Sequence, residues 1–274
     1  MRSRRHSGFS LIELAVVLVI IGLLVGGGIA ALEATQTQTQ RADQRRQLEQ
    51  VRDALIGFAM SSGRLPCPDT DYPPDGRENI DPPPPTCPVG DPDNDDDCDC
   101  VDSWGALPWA QLGVGATDAW GQRLRYRVYT DVPDADWPEK PRFADPDANR
   151  DDPAFGLDAY KNYGLMIEGN DDDGDGNRDT VADEVAAVVV SYGPQGRQIW
   201  TADDFDCVAA GVDGFSEDEH ENCDDNNLFV AASYRSPEGA GDPTDPGRGR
   251  FDDMLTWIAT PTLKMRMVEA GTLP

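Results

Sequence analysis

Histidine is nearly absent: the 274 residues hold only His6 and His220. That leaves little material for imidazole general-base catalysis or imidazole–metal centres. Lysine is almost as scarce, with Lys140, Lys161 and Lys264 alone, and the 23 basic against 51 acidic residues give a net charge of −28. A surface that acidic repels phosphate backbones, which removes nucleic acid from the partner classes. No GxSxG, P-loop or dinucleotide fingerprint occurs, and with 39 Asp in the chain aspartate pairs arise by chance. The chain does not read as an enzyme. Proline, 22 residues in all, is missing between Glu33 and Ser62, and charge is missing from the 19 positions between Leu14 and Leu32. Asp outnumbers Glu by 39 to 12; it favours turns, caps and metal loops over helix interiors, so the C-terminal part is expected to be loop-rich.

The uncharged run is preceded by a short basic segment holding Arg2, Arg4 and Arg5. A helix of 19 residues spans about 28 Å, close to the hydrocarbon core of a bilayer. A secretory signal would carry its small-residue cleavage site after the apolar run; here Gly8 stands before it. The arginines are expected to stay cytoplasmic, with everything after residue 33 on the far side. Glu13 interrupts the apolar character near its start. An ionised carboxylate at membrane depth costs about 2.5–3.5 kcal/mol on insertion scales, so such a group normally has a partner and a role.

Gly8-Phe9-Ser10-Leu11-Ile12-Glu13, with the basic leader before it and the apolar helix behind it, resembles the processing motif of type IV pilins and type II secretion pseudopilins. The resemblance implies a prepilin peptidase that cuts after Gly8 and methylates the new N-terminal Phe9. It also implies that Glu13 pairs with the N-terminal amine of a neighbouring subunit during filament assembly.

The helix is expected to continue to residue 62, with Leu48, Val51, Leu55 and Phe58 forming one apolar stripe against a globular head. Gly26-Gly27-Gly28 is its weak place, read either as close helix packing or as a segment that melts on assembly. Residues 9–60 carry four Arg and five acids, net −1; residues 61–274 carry 16 basic and 46 acidic residues, net −30. Almost all the charge therefore belongs to the head, either as a solvated acidic surface or as cation sites.

The expected fold class is α+β: a long N-terminal helix packed on an antiparallel sheet, with large acidic, proline-rich loop insertions. The organisation read from the chain is a leader at 1–8, a transmembrane assembly helix at 9–33 and its amphipathic continuation at 34–62. The head follows at 63–274, with an insertion at about 66–103 that contains the tetraproline 82–85. Leu124, Tyr126 and Val128 alternate with Arg123, Arg125 and Arg127, the pattern of a half-buried strand. The preceding Asp118-Ala119-Trp120-Gly121 is similar to a stretch that enters the first head strand of major pseudopilins. Further strands are expected at 163–168, 185–192, 228–234 and 251–258. A last helix should have Thr260 as N-cap, Pro261 at N1 and Gly271 as C-cap.

Six cysteines point to an oxidising compartment. Cys207 with Cys223 is the simplest pair; Cys67, Cys87, Cys98 and Cys100 allow three pairings. Zinc is disfavoured, because Cys98 and Cys100 have a single residue between them and His220 lies among acids. One loop has ligand spacing: Asp171, Asp173, Asp175 and Asp179 take positions 1, 3, 5 and 9, with Gly176 at 6 and Asn177 at 7. That resembles calcium loops of the EF-hand type, although position 12 is Ala182. The alternatives are a Ca²⁺ site and an ordinary acidic turn.

Two functions fit. One is a structural subunit that polymerises through its N-terminal helix into a type II secretion pseudopilus or a type IV pilus. The other is a minor pilin or tip protein whose enlarged acidic head contacts a ligand, cargo or surface. The implied partners are prepilin peptidase, other pilin or pseudopilin subunits and the inner-membrane assembly platform. The implied location is the inner membrane, single-pass with the head in the periplasm, and then the filament.

Overall fold

A computed structural model describes residues 11–81, 99–129, 164–170, 177–199, 205, 207, 216–224, 226–235 and 250–272; the side chains of 23–35, 99 and 198 lie outside that description. The chain divides into two compact units, Met1–Asp43 and Gln44–Pro274.

Helix α1 runs from Leu11–Ser62 without a break, through Gly26-Gly27-Gly28. In the second unit its buried stripe is Leu48, Val51, Leu55 and Ala59, with Gln44 a turn before. Phe58, expected on that stripe, is half-buried, and the Arg64 guanidinium lies 5.5 Å from its ring centroid. Relative to Leu48, at about 100° per residue, the buried positions run from Val51 at about −60° to Ile56 at about +80°, and Phe58 falls at about −80°, just outside that arc.

The head is built on a sheet whose axis is a 12-residue strand, β6. Two short strands precede it in a separate ladder, β1 (Ile80–Asp81) and β2 (Asp99–Cys100). The main sheet contains β3 (Trp104–Ala106), β4 (Arg125–Val128), β5 (Leu165–Glu168), β6 (Thr180–Ser191), β7 (Leu228–Val230) and β8 (Met254–Ala259), and the one-turn helices α2 (Trp109–Leu112) and α3 (Gly196–Ile199) follow β3 and β6. Its order is β3-β4-β6-β5-β7, and β8 also pairs β6. The second half of β6 pairs β4 from Val128↔Ala187 to Arg125↔Val190 and pairs β8 from Val185↔Ala259 to Ser191↔Met254. With partners around it, β6 is buried at every position from Val185 to Ser191, the continuous apolar run of a central strand.

The sheet is mixed rather than purely antiparallel. β5 and β7 are parallel, with Met166↔Leu228 and Glu168↔Val230 in register. A parallel pair needs a long crossover, and here the chain leaves β5, passes through β6 and helix α4 (Glu217–Glu221), and returns as β7.

Two local expectations are corrected. Arg125 and Arg127 do not form a solvated face of β4; both are buried. Arg125 lies 4.1 Å from the Trp104 ring and 3.1 Å from the Phe205 ring, and Arg123 lies 4.1 Å from Trp109. Guanidinium planes are weakly hydrated and stack on aromatic faces, so an arginine row can be roofed over. In the last helix, α5 (Thr260–Ala270), the N-cap is Ala259 rather than Thr260. β8 runs straight into α5, so the last extended residue is the strand's own end. Gly271 closes the helix in the left-handed conformation, φ 73°, as expected.

Candidate functional site

The first described residues of α1 are apolar on every face and uncovered. Leu11 is 89% exposed, and Ile12, Leu14 and each residue from Val16 to Ile21 are exposed as well. A helix stripe is what a soluble fold buries; a helix apolar all round calls for an apolar environment all round. Among the described residues no helix is long and apolar enough to cross a membrane. The uncharged run continues past Gly22 into positions whose side chains lie outside the description. Glu13 sits in the first described turn of α1. Gly8 and Phe9 lie outside the described residues.

The loop with ligand spacing is the hairpin connection between β5 and β6. Its ends are clamped by Gly169 N donating to Asp179 O at 2.8 Å and Asp179 N donating to Asn170 O at 3.2 Å. Asn177 and Asp179 are exposed; Asp171, Asp173 and Asp175 lie outside the described residues. Between them and β6, Arg178 turns toward α4, donating to Asp218 Oδ1 and, at 3.4 Å, to Glu168 Oε2.

Among the described residues, α4 and the segment beside it hold a cluster of buried charge. Its start is a capping box: Ser216 Oγ accepts from Glu219 N at 3.2 Å, and Glu219 Oε2 accepts from Ser216 N at 3.1 Å. Asp218 binds Arg178 and Arg235. Glu219, Asp252 and Asp253 are all buried and approach to within 4.8 Å. Glu219 Oε1 accepts from Asp252 N at 3.1 Å, Asp253 Oδ2 accepts from Asn222 Nδ2 at 2.9 Å, and Arg250 pairs with Asp252. Burial, with the neighbouring Asp252 charge, pushes Glu219 up to about 7. Burial and then the Glu219 and Asp252 charges push Asp253 well above the usual carboxylate range. The signal in the chain was Ser216-x-x-Glu219; nothing local announced Asp252 and Asp253 as its neighbours.

Asp118, in the stretch that leads into β4, ties that entrance together. Its Oδ1 accepts from Trp120 N at 2.9 Å and Gln122 N at 2.8 Å, and its Oδ2 accepts from Ser191 Oγ at 2.7 Å. The turn needs Gly121 at φ 80°. Burial raises the Asp118 pKa, opposed by these hydrogen bonds.

Cys67 is bonded to Cys100 and Cys207 to Cys223, closing separations of 33 and 16 residues. In the chain-entropy picture each contributes about 3–4 kcal/mol. Cys87 and Cys98 lie outside the described residues. His220, expected among solvated acids, instead lies half-buried with Nδ1 3.4 Å from Cys207 Sγ.

Residues 3–29 match the family model of the prokaryotic N-terminal methylation motif, the signature of prepilin-type proteins, the type IV pilins and pseudopilins. Comparison with curated proteins and with solved structures finds no match.

Proposed function

We propose that this chain is a pilin-like structural subunit, cut after Gly8 by a prepilin peptidase, methylated on Phe9 and assembled through α1 into a type II secretion pseudopilus or a type IV pilus. The observation that carries the reading is the exposed apolar stretch of α1 from Leu11 onward, with Glu13 in it, within the matched 3–29 motif. Such a helix is sheathed in two settings, a bilayer before assembly and a bundle of like helices afterwards. The subunit thus waits in the inner membrane with its head in the periplasm and leaves it into the filament on the assembly platform. Glu13 sets the geometry of that step: a carboxylate among apolar side chains is stabilised by the N-terminal amine of a neighbouring Phe9, which fixes the axial stagger of adjacent helices. The head takes no part in chemistry, in keeping with the structural role typical of such proteins.

A second reading is favoured by the head's charge. Heads of net −30 repel when packed side by side within the Debye length of about 8 Å. That favours a minor or tip subunit, spaced among other pilins, whose acidic surface meets a ligand, cargo or cell surface. A Ca²⁺ ion in the 171–179 loop would lower the repulsion in either role. The described ends of that loop are tied to each other, Gly169 N donating to Asp179 O and Asp179 N to Asn170 O.

Intact-mass analysis of the membrane-extracted protein tests the first reading. The expected species begins at Phe9 and is heavier than its unmodified chain by one CH2 unit, the net gain when a methyl replaces a hydrogen. A start at Met1 overturns it.

A further inference from the structure

We propose that reduction of the Cys207–Cys223 disulfide opens a metal site made of Cys207, His220 and Cys223, and that the ion it takes is Zn²⁺. The three donor atoms lie within 4.8 Å of one another, with His220 Nδ1 3.4 Å from Cys207 Sγ. Zn–S bonds near 2.3 Å and Zn–N bonds near 2.0–2.1 Å at a tetrahedral angle hold two such donors about 3.5 Å apart. Imidazole and sulfur therefore already stand one coordination edge from each other. Two thiolates and an imidazole form a borderline-soft donor set that selects Zn²⁺ over the hard cations an acidic head otherwise attracts. Three protein donors leave the fourth tetrahedral position to water.

The arrangement does not depend on the S–S bond alone. His220 and Cys223 are three residues apart on one turn, with Cys223 N donating to His220 O at 3.0 Å. That turn is fixed at its start by the Ser216–Glu219 capping box and at its end by Asn222, whose Nδ2 and Oδ1 pair with Val230 O and N at 3.0 and 2.8 Å. On the other side Cys207 follows two residues after Phe205, whose ring lies over Arg125 and 6.1 Å from the Tyr192 ring. Both halves of the trio are held by packing that reduction leaves in place. Cys223 is buried, whereas Cys207 and His220 are half-buried and open to an incoming thiol or ion.

The chemistry balances. A dithiol reductant gives two electrons and two protons to the disulfide, leaving two thiols, and is itself oxidised to a disulfide. Zn²⁺ then displaces both thiol protons and stays divalent, and neutral His220 donates a lone pair. In the oxidised chain the sulfurs are joined and carry no thiolate, so the site is closed. Disulfide and metal are alternative crosslinks of the same two strands of chain, and the second preserves α4 when the first is lost. None of this rests on the filament reading.

The test uses the full chain in detergent, reduced with a phosphine, which takes oxygen from water as the thiols take the protons. Co²⁺ serves as the spectroscopic probe and Zn²⁺ as its competitor. The reduced wild type is expected to show tetrahedral d–d bands and a thiolate-to-cobalt charge-transfer band, both removed by one equivalent of Zn²⁺. These signals should be lost in Cys207→Ser/Cys223→Ser, which keeps the other cysteines. His220→Ala, which can still form the disulfide and fold before reduction, should bind Co²⁺ at least about tenfold more weakly and with a shifted d–d envelope. Spectra of the reduced wild type identical to those of either variant, or to those of the oxidised chain, overturn the proposal.

Discussion

Arg178, at the end of the acidic hairpin, donates from both Nε and Nη2 to Asp218 Oδ1 on α4, at 3.0 and 2.5 Å. The other oxygen of Asp218 takes Arg235, so one buried carboxylate holds two guanidinium groups from separate segments. In a head with 16 basic against 46 acidic residues, this pairing ties the C-terminal end of the hairpin to α4. Asp218→Asn keeps the shape but removes the charge facing both arginines. Hydrogen bonds to charged groups contribute about 1.5–3 kcal/mol each, and both arginines remain partly solvated, so the expected loss is about 2–3 kcal/mol. Chemical unfolding of the full chain in detergent reads it directly; an unchanged midpoint would mean that solvent replaces Asp218 without cost.

Glu13→Ala should leave processing and membrane extraction intact while blocking entry into filaments. Loss of a carboxylate from an apolar helix eases insertion, so a defect confined to assembly reports a missing intersubunit partner. Recovery of the variant from sheared filaments at the wild-type level would remove that role from Glu13.

Calcium should raise the melting temperature of the full chain, and chelator should lower it. A ligand at about 100-fold excess over its Kd stabilises by about 2.7 kcal/mol. Magnesium should do less, because it demands a tighter octahedral shell. Asp173→Ala with Asp175→Ala should erase the shift. Equal melting of the wild type in calcium and in chelator leaves an ordinary acidic turn.

The buried acids on and beside α4 make stability fall as pH rises. Glu219 has its folded pKa raised to about 7, with an unfolded value near 4.5, so the folded state binds more protons between those limits. Its contribution is fully present below about pH 4.5 and is lost as pH climbs through 7; Asp253 acts in the same direction. Glu78 opposes them weakly. Burial works against its charge, but Arg64 and its other hydrogen bonds hold its pKa below the usual value. Melting measured from pH 5 to pH 8 should decline, and Glu219→Gln should flatten the decline. A slope that the variant leaves unchanged would place the titration elsewhere.

What could be read from the chain was whatever depends on neighbours along it. The 19 uncharged positions, with Glu13 immediately before them and Gly8 ahead of both, announce the N-terminal motif, because insertion and processing act on a linear segment. The same holds for α1 as a helix to Ser62 and for Gly271 as the end of α5. What tertiary structure alone decided were relations between distant residues. Ile56 and Ala59 join the buried face of α1 and Phe58 does not, because the head's core, drawn from distant segments, sets which arc of the helix is covered. Arg125 is buried because Trp104 and Phe205, 21 residues before it and 80 after it, bring rings to within 4.1 and 3.1 Å of its guanidinium. β7 pairs parallel to β5 only because the crossover through β6 and α4 closes. His220 lies among acids in the chain but against a sulfur in the fold. Local composition sets the cost of burying a group; only packing between remote segments determines which groups are buried together, and what they can then bind.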